Sequence, residues 1–169
     1  MMINKPTKII VHHEAPAVLS NFLRFALVNE YHKERFNAKS SLGFYCGYQY
    51  FIEKSGYVIQ ARLDTDEGAH TIGHNLSSIG ICLAGNFDLE MPTEAQKTAL
   101  RTLLRDLTLK YYILPSEIVP HRKFAPKSCY GSKLSDTWAR DLLTGEEKIN
   151  LLRSVLNALF ATLKKLSGK

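Results

Sequence analysis

Cysteine is sparse in this sequence, and long apolar runs are absent. The 169 residues include three cysteines, Cys46, Cys82 and Cys129. This odd, low number argues against a disulfide framework and is typical of a chain that folds in a reducing cytoplasm. No stretch approaches the ~20 consecutive apolar residues that span a bilayer, and residues 1–6 lack the apolar region of a secretion signal. We therefore expect a chain made in the cytoplasm without a signal peptide, which would reach a substrate outside the membrane only after release by another protein.

Motifs for nucleic-acid recognition are also lacking. The sequence has neither a paired Cys/His finger nor an aromatic-rich basic strand, and its lysines and arginines are mostly scattered. We therefore predict no specific nucleic-acid partner. The formal net charge of +6 and the pI of about 9.2 still favour an anionic partner, such as a cell-wall polymer or a membrane surface.

Strand-like and helix-like segments alternate along the chain, without an internal repeat or a flexible linker. Apolar or alternating runs predict strands at 8–13, 48–53, 57–62, 79–84 and 118–119. Apolar residues at helical spacing predict a helix over 17–36, and a capping box at 93–96 predicts a second helix that ends near residue 111. The predicted class is α/β, a single domain with a central mixed β-sheet flanked by helices.

The end of the chain predicts an additional helix that is amphipathic and basic. A second capping box at 144–147 opens a predicted helix from about 146 to 166, with apolar residues three and four positions apart. Five Lys/Arg against two Glu give residues 144–169 a charge of +3. We interpret 1–143 as the domain and 144–169 as an extension of it. The helix could pack on its own domain, pair with a partner helix, or lie on a membrane surface.

A histidine and a cysteine stand eight positions apart, His121 and Cys129, on a loop that two prolines stiffen. Neutral imidazole and thiolate suit zinc, and a catalytic zinc site takes three protein ligands and leaves one position for water. His12, which follows the apolar run 9–11, is the best candidate for the third ligand. The spacing alone is not a common zinc pattern, so His12 could also be a core histidine at a strand end.

Short motifs over residues 8 to about 142 resemble one enzyme family and occur in that family's order. They are IIVH at 9–12, GYQYFI at 47–52, GAH at 68–70, NLSSIGI at 75–81 and HRKFAPKSC at 121–129. The chain resembles the type-2 N-acetylmuramoyl-L-alanine amidases, which include the phage lysozyme amidases and the peptidoglycan recognition proteins. The phage enzymes are the most similar, because their final loop carries the same His, Ala-Pro-Lys and Cys at the same spacing.

The resemblance implies roles for seven side chains in a zinc amidase domain over 1–143. By this resemblance, His12, His121 and Cys129 bind one Zn²⁺ ion, Tyr48 and Lys127 take part in catalysis, and His70 and Asn75 line the substrate groove. The sequence departs from the family pattern at three places, with Tyr130 in place of a proline, basic Arg122-Lys123 where many members have Asp, and Gln49 where a His often follows the tyrosine. None of these departures removes an implied ligand or catalytic group.

The implied reaction is hydrolysis of the amide between N-acetylmuramic acid and L-alanine in peptidoglycan, and we expect a phage endolysin. Two other functions stay open: a cytosolic wall-recycling amidase, and a peptidoglycan-binding module without catalysis. Cys129 separates enzyme from binding module, because non-catalytic members commonly lack the thiol ligand. The basic C-terminal helix suggests an anionic membrane or lipopolysaccharide as a further partner. Phage RNA polymerase is another, because some phage amidases bind it.

The remaining histidines and cysteines have structural interpretations. His13 alternates to the other face of its strand from His12, so we expect a structural role. We expect His32 on the surface of the first helix, and His74 in a polar loop where it contacts substrate at most. Cys82 lies among strand hydrophobes and is predicted as a small core residue, and we expect no reactive role for Cys46.

Overall fold

The computed structural model describes residues 3–15 and 24–144 of the chain. Its strands and α-helices include β1 Lys8–His13, α1 Arg24–Phe36, β2 Tyr50–Ile52, β3 Val58–Gln60, β4 Ser78–Leu83, α2 Glu94–Tyr111 and β5 Ile118–Pro120. Residues 138–144 are also helical. Single turns of 3-10 helix, Pro115–Glu117 and His121–Lys123, stand on either side of β5. Within the described residues, no helix is long and apolar enough to cross a membrane.

The sheet is mixed, as predicted, with the strand order β3-β2-β4-β1-β5. β1 runs parallel to both β4 and β5, β2 runs parallel to β4, and only the β2–β3 hairpin is antiparallel among these pairs. The central strand β4 is buried along its whole length. Because β1 and β5 are adjacent and parallel, their carboxyl ends lie at the same edge of the sheet.

The two faces of the sheet carry different side chains because strand residues alternate. Ile79, Ile81 and Leu83 of β4 pack with Leu100 and Leu104 of α2 in the larger apolar cluster. Cys82 of β4 packs on the opposite face in a smaller cluster with Val28 of α1 and the rings that surround it: Phe25, Phe44, Tyr48 and Phe51. His12 pairs in register with Cys82. The side chain of His12 therefore belongs to the α1 face of the sheet.

α2 begins where the capping box predicts. The Thr93 hydroxyl accepts a hydrogen bond from the Gln96 backbone N–H, and the Gln96 side-chain oxygen accepts one from the Thr93 N–H, each at 3.1 Å. The other end of the Gln96 amide donates to the Ala84 carbonyl at 2.8 Å. This buried glutamine therefore both starts the helix and joins it to the end of β4.

A buried carboxylate fixes the last turn of α2. Asp64 accepts hydrogen bonds from the Tyr50 hydroxyl at 2.6 Å, the Tyr111 hydroxyl at 2.7 Å and the Lys110 ammonium at 2.8 Å. Burial raises the pKa of Asp64, but the hydrogen bonds from Lys110, Tyr50 and Tyr111 outweigh it and hold this pKa below its ordinary value. The carboxylate therefore joins β2 to the C-terminal end of α2.

Three sequence expectations need correction. β2 begins at Tyr50, so Tyr48 lies in the bend before the strand and does not open it. His32 is 7% exposed and belongs to the buried side of α1, so its predicted surface position was wrong. Thr144 does not start a helix, because residues 138–144 are already helical and its hydroxyl donates to the Asp141 carbonyl. The predicted helix at 146–166 and residues 17–23 of the predicted helix 17–36 lie outside the described residues.

Candidate metal centre

Three side chains that can bind a metal meet at the carboxyl edge of the sheet. His12 is the fifth residue of β1, and His121 directly follows β5, the parallel neighbour of β1. The loop after His121 returns Cys129 to the same place. One ligand atom from each of these residues lies within 4.8 Å of the other two. The sequence pattern predicted these residues, and the parallel pairing of β1 with β5 brings the two histidines together.

The geometry and burial of this cluster fit zinc. His12 Nδ1 and Cys129 Sγ are 3.8 Å apart, and ligand distances of about 2.1 Å for nitrogen and 2.3 Å for sulfur put two tetrahedral zinc ligands about 3.6 Å apart. His12 and Cys129 are buried, whereas His121 is half-buried. Two imidazoles and one thiol form the three-ligand set of a catalytic zinc site with one position open.

The electrostatics of the cluster leave the imidazole lone pairs available. Burial lowers the pKa of His12 well below its ordinary value, and the neighbouring histidines lower it further. Burial also lowers the pKa of His121, with a further contribution from the Lys127 ammonium. Burial raises the pKa of the Cys129 thiol to about 12 in the metal-free protein. A bound cation would reverse that effect, because metal binding releases the proton of a coordinating thiol.

Tyr48 lies against the first histidine of the cluster. Its ring centroid is 4.9 Å from that of His12 and 5.4 Å from that of His32. Burial raises the pKa of Tyr48 well above its ordinary value, and its phenol interacts with the Cys82 thiol. Tyr48 therefore keeps its proton at neutral pH beside the candidate metal ligands.

Lys127 is exposed on the loop that carries Cys129. The loop makes a tight turn here, with the Lys127 N–H donating to the Ala125 carbonyl at 2.8 Å. After burial, the charge of Lys127 is the next largest influence on the pKa of His121. Its ammonium therefore adds positive charge on the solvent side of the cluster.

His70 and Asn75, the predicted substrate-groove residues, are joined to each other. Asn75 Oδ1 accepts hydrogen bonds from the backbone N–H groups of His70 at 3.0 Å and Thr71 at 2.9 Å. His70 Nδ1 lies 3.1 Å from His12 Nε2. Burial lowers the pKa of His70 to about 3, so the ring is neutral. Contact of these two residues with substrate stays a prediction.

Arg122 closes the loop after Cys129, a role that sequence reasoning missed. Its guanidinium donates to the carbonyls of Gly131 and Leu134 at 2.7 Å each and to Asp136 Oδ1 at 2.6 Å. It also lies over the Tyr130 ring, with Cζ 5.4 Å from the centroid. Tyr130, in place of the family's proline, is fully buried. Arg122 and Tyr130, two of the residues that depart from the family pattern, therefore contact each other.

His32 and Asp88 are further residues that support the site. His32 Nδ1 accepts a hydrogen bond from the Gly47 N–H at 2.9 Å, next to Tyr48. The spacing of Arg24, Val28 and His32, the buried residues of α1, could have revealed this face from the sequence. Asp88 accepts hydrogen bonds from the Ser128 hydroxyl and the Ser132 N–H at 2.6 Å each, on both sides of Cys129 in the chain.

The other histidines and cysteines have the following places. His13 has the structural role that the sequence predicted, because its Nδ1 accepts a hydrogen bond from the Phe87 N–H at 3.0 Å. The half-buried His74 ring lies 4.1 Å from the Phe124 ring. Cys82 is a fully buried core residue, as predicted. Cys46 is fully buried in the smaller apolar cluster, and burial raises the pKa of its thiol to about 12.

Known proteins share both the sequence pattern and the fold. The family model described as N-acetylmuramoyl-L-alanine amidase matches residues 3–134. An endolysin of Klebsiella phage KP32 is 33% identical over 102 residues, which cover 57% of this chain and 66% of the phage protein. A human N-acetylmuramoyl-L-alanine amidase is 32% identical over 97 residues, 54% of this chain and 17% of the human protein. The chain thus spans just under two thirds of the first of these relatives and about one sixth of the second.

A solved structure extends the likeness to most of the chain. The amidase LysC from Clostridium intestinale URNW has a TM-score of 0.71 and 28% sequence identity, covering 83% of this chain and 87% of LysC. The family model covers far more than half of the 169 residues, and the matched range contains His12, His121 and Cys129. The fold, the order of the motifs and the position of the cluster agree with this match. The chain therefore belongs to the N-acetylmuramoyl-L-alanine amidase family.

Proposed function

We propose that this chain is a zinc-dependent N-acetylmuramoyl-L-alanine amidase that hydrolyses the amide between N-acetylmuramic acid and L-alanine in peptidoglycan. The observation that carries the proposal is the meeting of His12, His121 and Cys129 within 4.8 Å, in a chain of this family. The presence of Cys129 favours the enzyme over a peptidoglycan-binding module without catalysis.

His12 through Nδ1, His121 and Cys129 would hold one zinc ion. When bound, zinc supplies Lewis-acid chemistry, which polarises an amide carbonyl and makes water a stronger acid near neutral pH. Burial of His12 and Cys129 keeps bulk water away from these ligands. The half-buried His121 and the exposed Lys127 leave the opposite side open to a polymeric substrate.

Tyr48 would assist the transfer of a proton in the reaction, and Lys127 would stabilise the negative charge that develops in it. The Tyr48 phenol, which keeps its proton at neutral pH, orients the attacking water or passes a proton to the leaving amine of L-alanine. The Lys127 ammonium stabilises the negative charge that develops on the amide oxygen as water attacks. His70 and Asn75 would shape the inner wall of the groove, because Asn75 fixes the backbone of His70.

We further propose that the amidase acts as a phage endolysin, made in the host cytoplasm and acting on the wall after release. The KP32 relative is named an endolysin, which supports this over a cytosolic wall-recycling enzyme. The basic stretch 144–169 would help by contacting an anionic membrane or lipopolysaccharide. If its deletion leaves lysis of intact cells unchanged relative to purified wall, that contribution is refuted. A pull-down from infected cells tests the proposed phage RNA polymerase contact.

Mass spectrometry of purified peptidoglycan tests the activity and the metal together. The wall is incubated with the protein as purified, with chelated protein, and with chelated protein after zinc is restored. We expect free stem peptides that begin with L-alanine, lost on chelation and regained with zinc. Intact glycan–peptide from protein that still pulls down wall would refute the enzyme and favour the binding module. Cleavage that survives chelation would refute the zinc requirement alone.

A further inference from the structure

The two nitrogens of His12 face different partners. Nδ1 lies on the side of Cys129, 3.8 Å from its sulfur, whereas Nε2 lies 3.1 Å from His70 Nδ1. The rings of His12 and His70 are perpendicular, with an interplanar angle of 88° and centroids 5.1 Å apart. This edge arrangement directs one ring nitrogen at the other. His70 therefore lies behind His12, on the far side from the sulfur.

The positions of the protons follow from these contacts. An imidazole that binds a metal through Nδ1 has its proton on Nε2, so His12 donates and His70 Nδ1 accepts. His70 then carries its own proton on Nε2. The Thr71 hydroxyl lies 3.0 Å from His70 Nδ1 and 3.5 Å from His12 Nε2 and can donate or accept, so it fits either tautomer of His70. The contact with His12 Nε2 therefore decides that the lone pair of His70 is on Nδ1.

The surroundings of His70 fix the ring in this orientation. A Cβ atom on Gly80 of β4 would lie 2.6 Å from the His70 ring, and one on Gly68 would also lie 2.6 Å from it. Only glycine leaves room for the ring at these two positions. His70 Nε2 is buried and has no hydrogen-bond partner within the described residues. Among the described residues, the polar contacts of this ring are therefore all at Nδ1, with His12 and Thr71.

We propose that His70 is a positioning residue for the metal centre, which accepts the His12 Nε2–H and so keeps His12 Nδ1 free and directed at the site of the ion. This inference rests on the proposed zinc site. Metal-bound histidines usually donate their second N–H to a carboxylate or a carbonyl, and loss of such a partner weakens metal binding. Here a second, neutral imidazole accepts instead. Asn75 contributes indirectly, because it holds the backbone of His70 in place.

Zinc affinity, measured by competition with a chromophoric chelator, tests the assignment without an activity assay. We expect His70→Ala to bind zinc about 10–100-fold more weakly than the unmodified protein. His70→Asn should recover most of this loss, because the Asn amide oxygen takes a position near that of Nδ1. His74→Asn is the matched control, since His74 contacts Phe124 and not the metal cluster, and should bind zinc normally. Unchanged zinc affinity in His70→Ala, with weaker wall binding, would overturn the proposal and favour a substrate contact.

A second measurement does not depend on how the variants fold. Long-range ¹H–¹⁵N spectra of the zinc-loaded protein report which ring nitrogen of each histidine carries a proton. We expect the proton of His70 on Nε2 and that of His12 on Nε2, and a protonated His70 Nδ1 would overturn the inference.

Failure of the proposed zinc site itself gives a different result. In that case the unmodified protein and His12→Ala would bind zinc equally weakly.

Discussion

Removal of the Arg122 guanidinium should destabilise the loop that follows Cys129. The group donates to two backbone carbonyls and to Asp136, and all three acceptors lie between residues 131 and 136. A hydrogen bond from a charged donor contributes about 1.5 kcal/mol at the low end, so the two carbonyl contacts together contribute about 3 kcal/mol. The Asp136 contact adds about 0–1 kcal/mol, because this carboxylate is exposed. We therefore expect Arg122→Ala to lower the free energy of unfolding by about 3 kcal/mol.

Urea unfolding of the metal-free protein, followed by fluorescence, measures this loss directly. For a chain of this size, a loss of about 3 kcal/mol also lowers Tm by about 6–12 °C. Arg122→Lys should recover less than half, because one ammonium cannot reach three acceptors arranged for a guanidinium fork. Lys123→Ala is the matched control: the side chain is exposed and adjacent, and we expect a change within about 0.5 kcal/mol. If Arg122→Ala is no less stable than Lys123→Ala, the role assigned to the guanidinium is refuted.

Three further predictions concern Tyr48, Lys127 and Asp64. Tyr48→Phe should lower kcat about 10²–10⁴-fold with zinc affinity unchanged, and a kcat near that of the unmodified enzyme would exclude a proton-transfer role. Lys127→Met should lower kcat about 10²–10³-fold, and if only KM rises, the lysine binds substrate rather than the developing oxyanion. The unmodified protein should have a larger free energy of unfolding than Asp64→Asn. This difference should be fully present above the unfolded carboxyl pKa of about 3.9 and should be lost as pH falls through the lower pKa of Asp64 in the folded protein. Melting curves from pH 7 to pH 2 check this, with Asp106→Asn as the exposed control; an advantage that does not change with pH would contradict the assignment.

Local patterns in the sequence were enough to predict most of the fold. The capping box at Thr93 and Gln96 predicted the start of α2, and the apolar runs predicted β1 and β4 within a residue or two of their bounds. Such signals depend on neighbours in sequence, where periodicity and capping apply. The segment 138–144 was missed because Thr144 resembles the start of a helix rather than a residue inside one.

The candidate site was only partly predictable from the sequence. Family motifs indicated the three candidate ligands, but no pattern indicates that His12 Nε2 contacts His70, 58 positions away. The function of Arg122 also depends on three acceptors 9 to 14 positions later, which local spacing does not reveal. The polarity of the His32 side chain favours a surface position, whereas its spacing from Arg24 and Val28 puts it on the buried face of α1. Contacts between distant positions arise from the register of the folded sheet.

Because side chains alternate along β4, substitutions on its two faces should change different properties, thermal stability on one face and metal affinity on the other. Its α2 face bears the large aliphatic residues Ile79, Ile81 and Leu83, whereas Gly80 and Cys82 on the other face leave room for His70 and adjoin His12. Substitutions should therefore alternate in phenotype with a period of two residues. Those at Ile79, Ile81 and Leu83 should lower thermal stability alone, whereas those at Gly80 and Cys82 should also lower metal affinity. Lower stability with unchanged zinc affinity would therefore identify the α2 face of this strand, and lower zinc affinity would identify the face that adjoins His12.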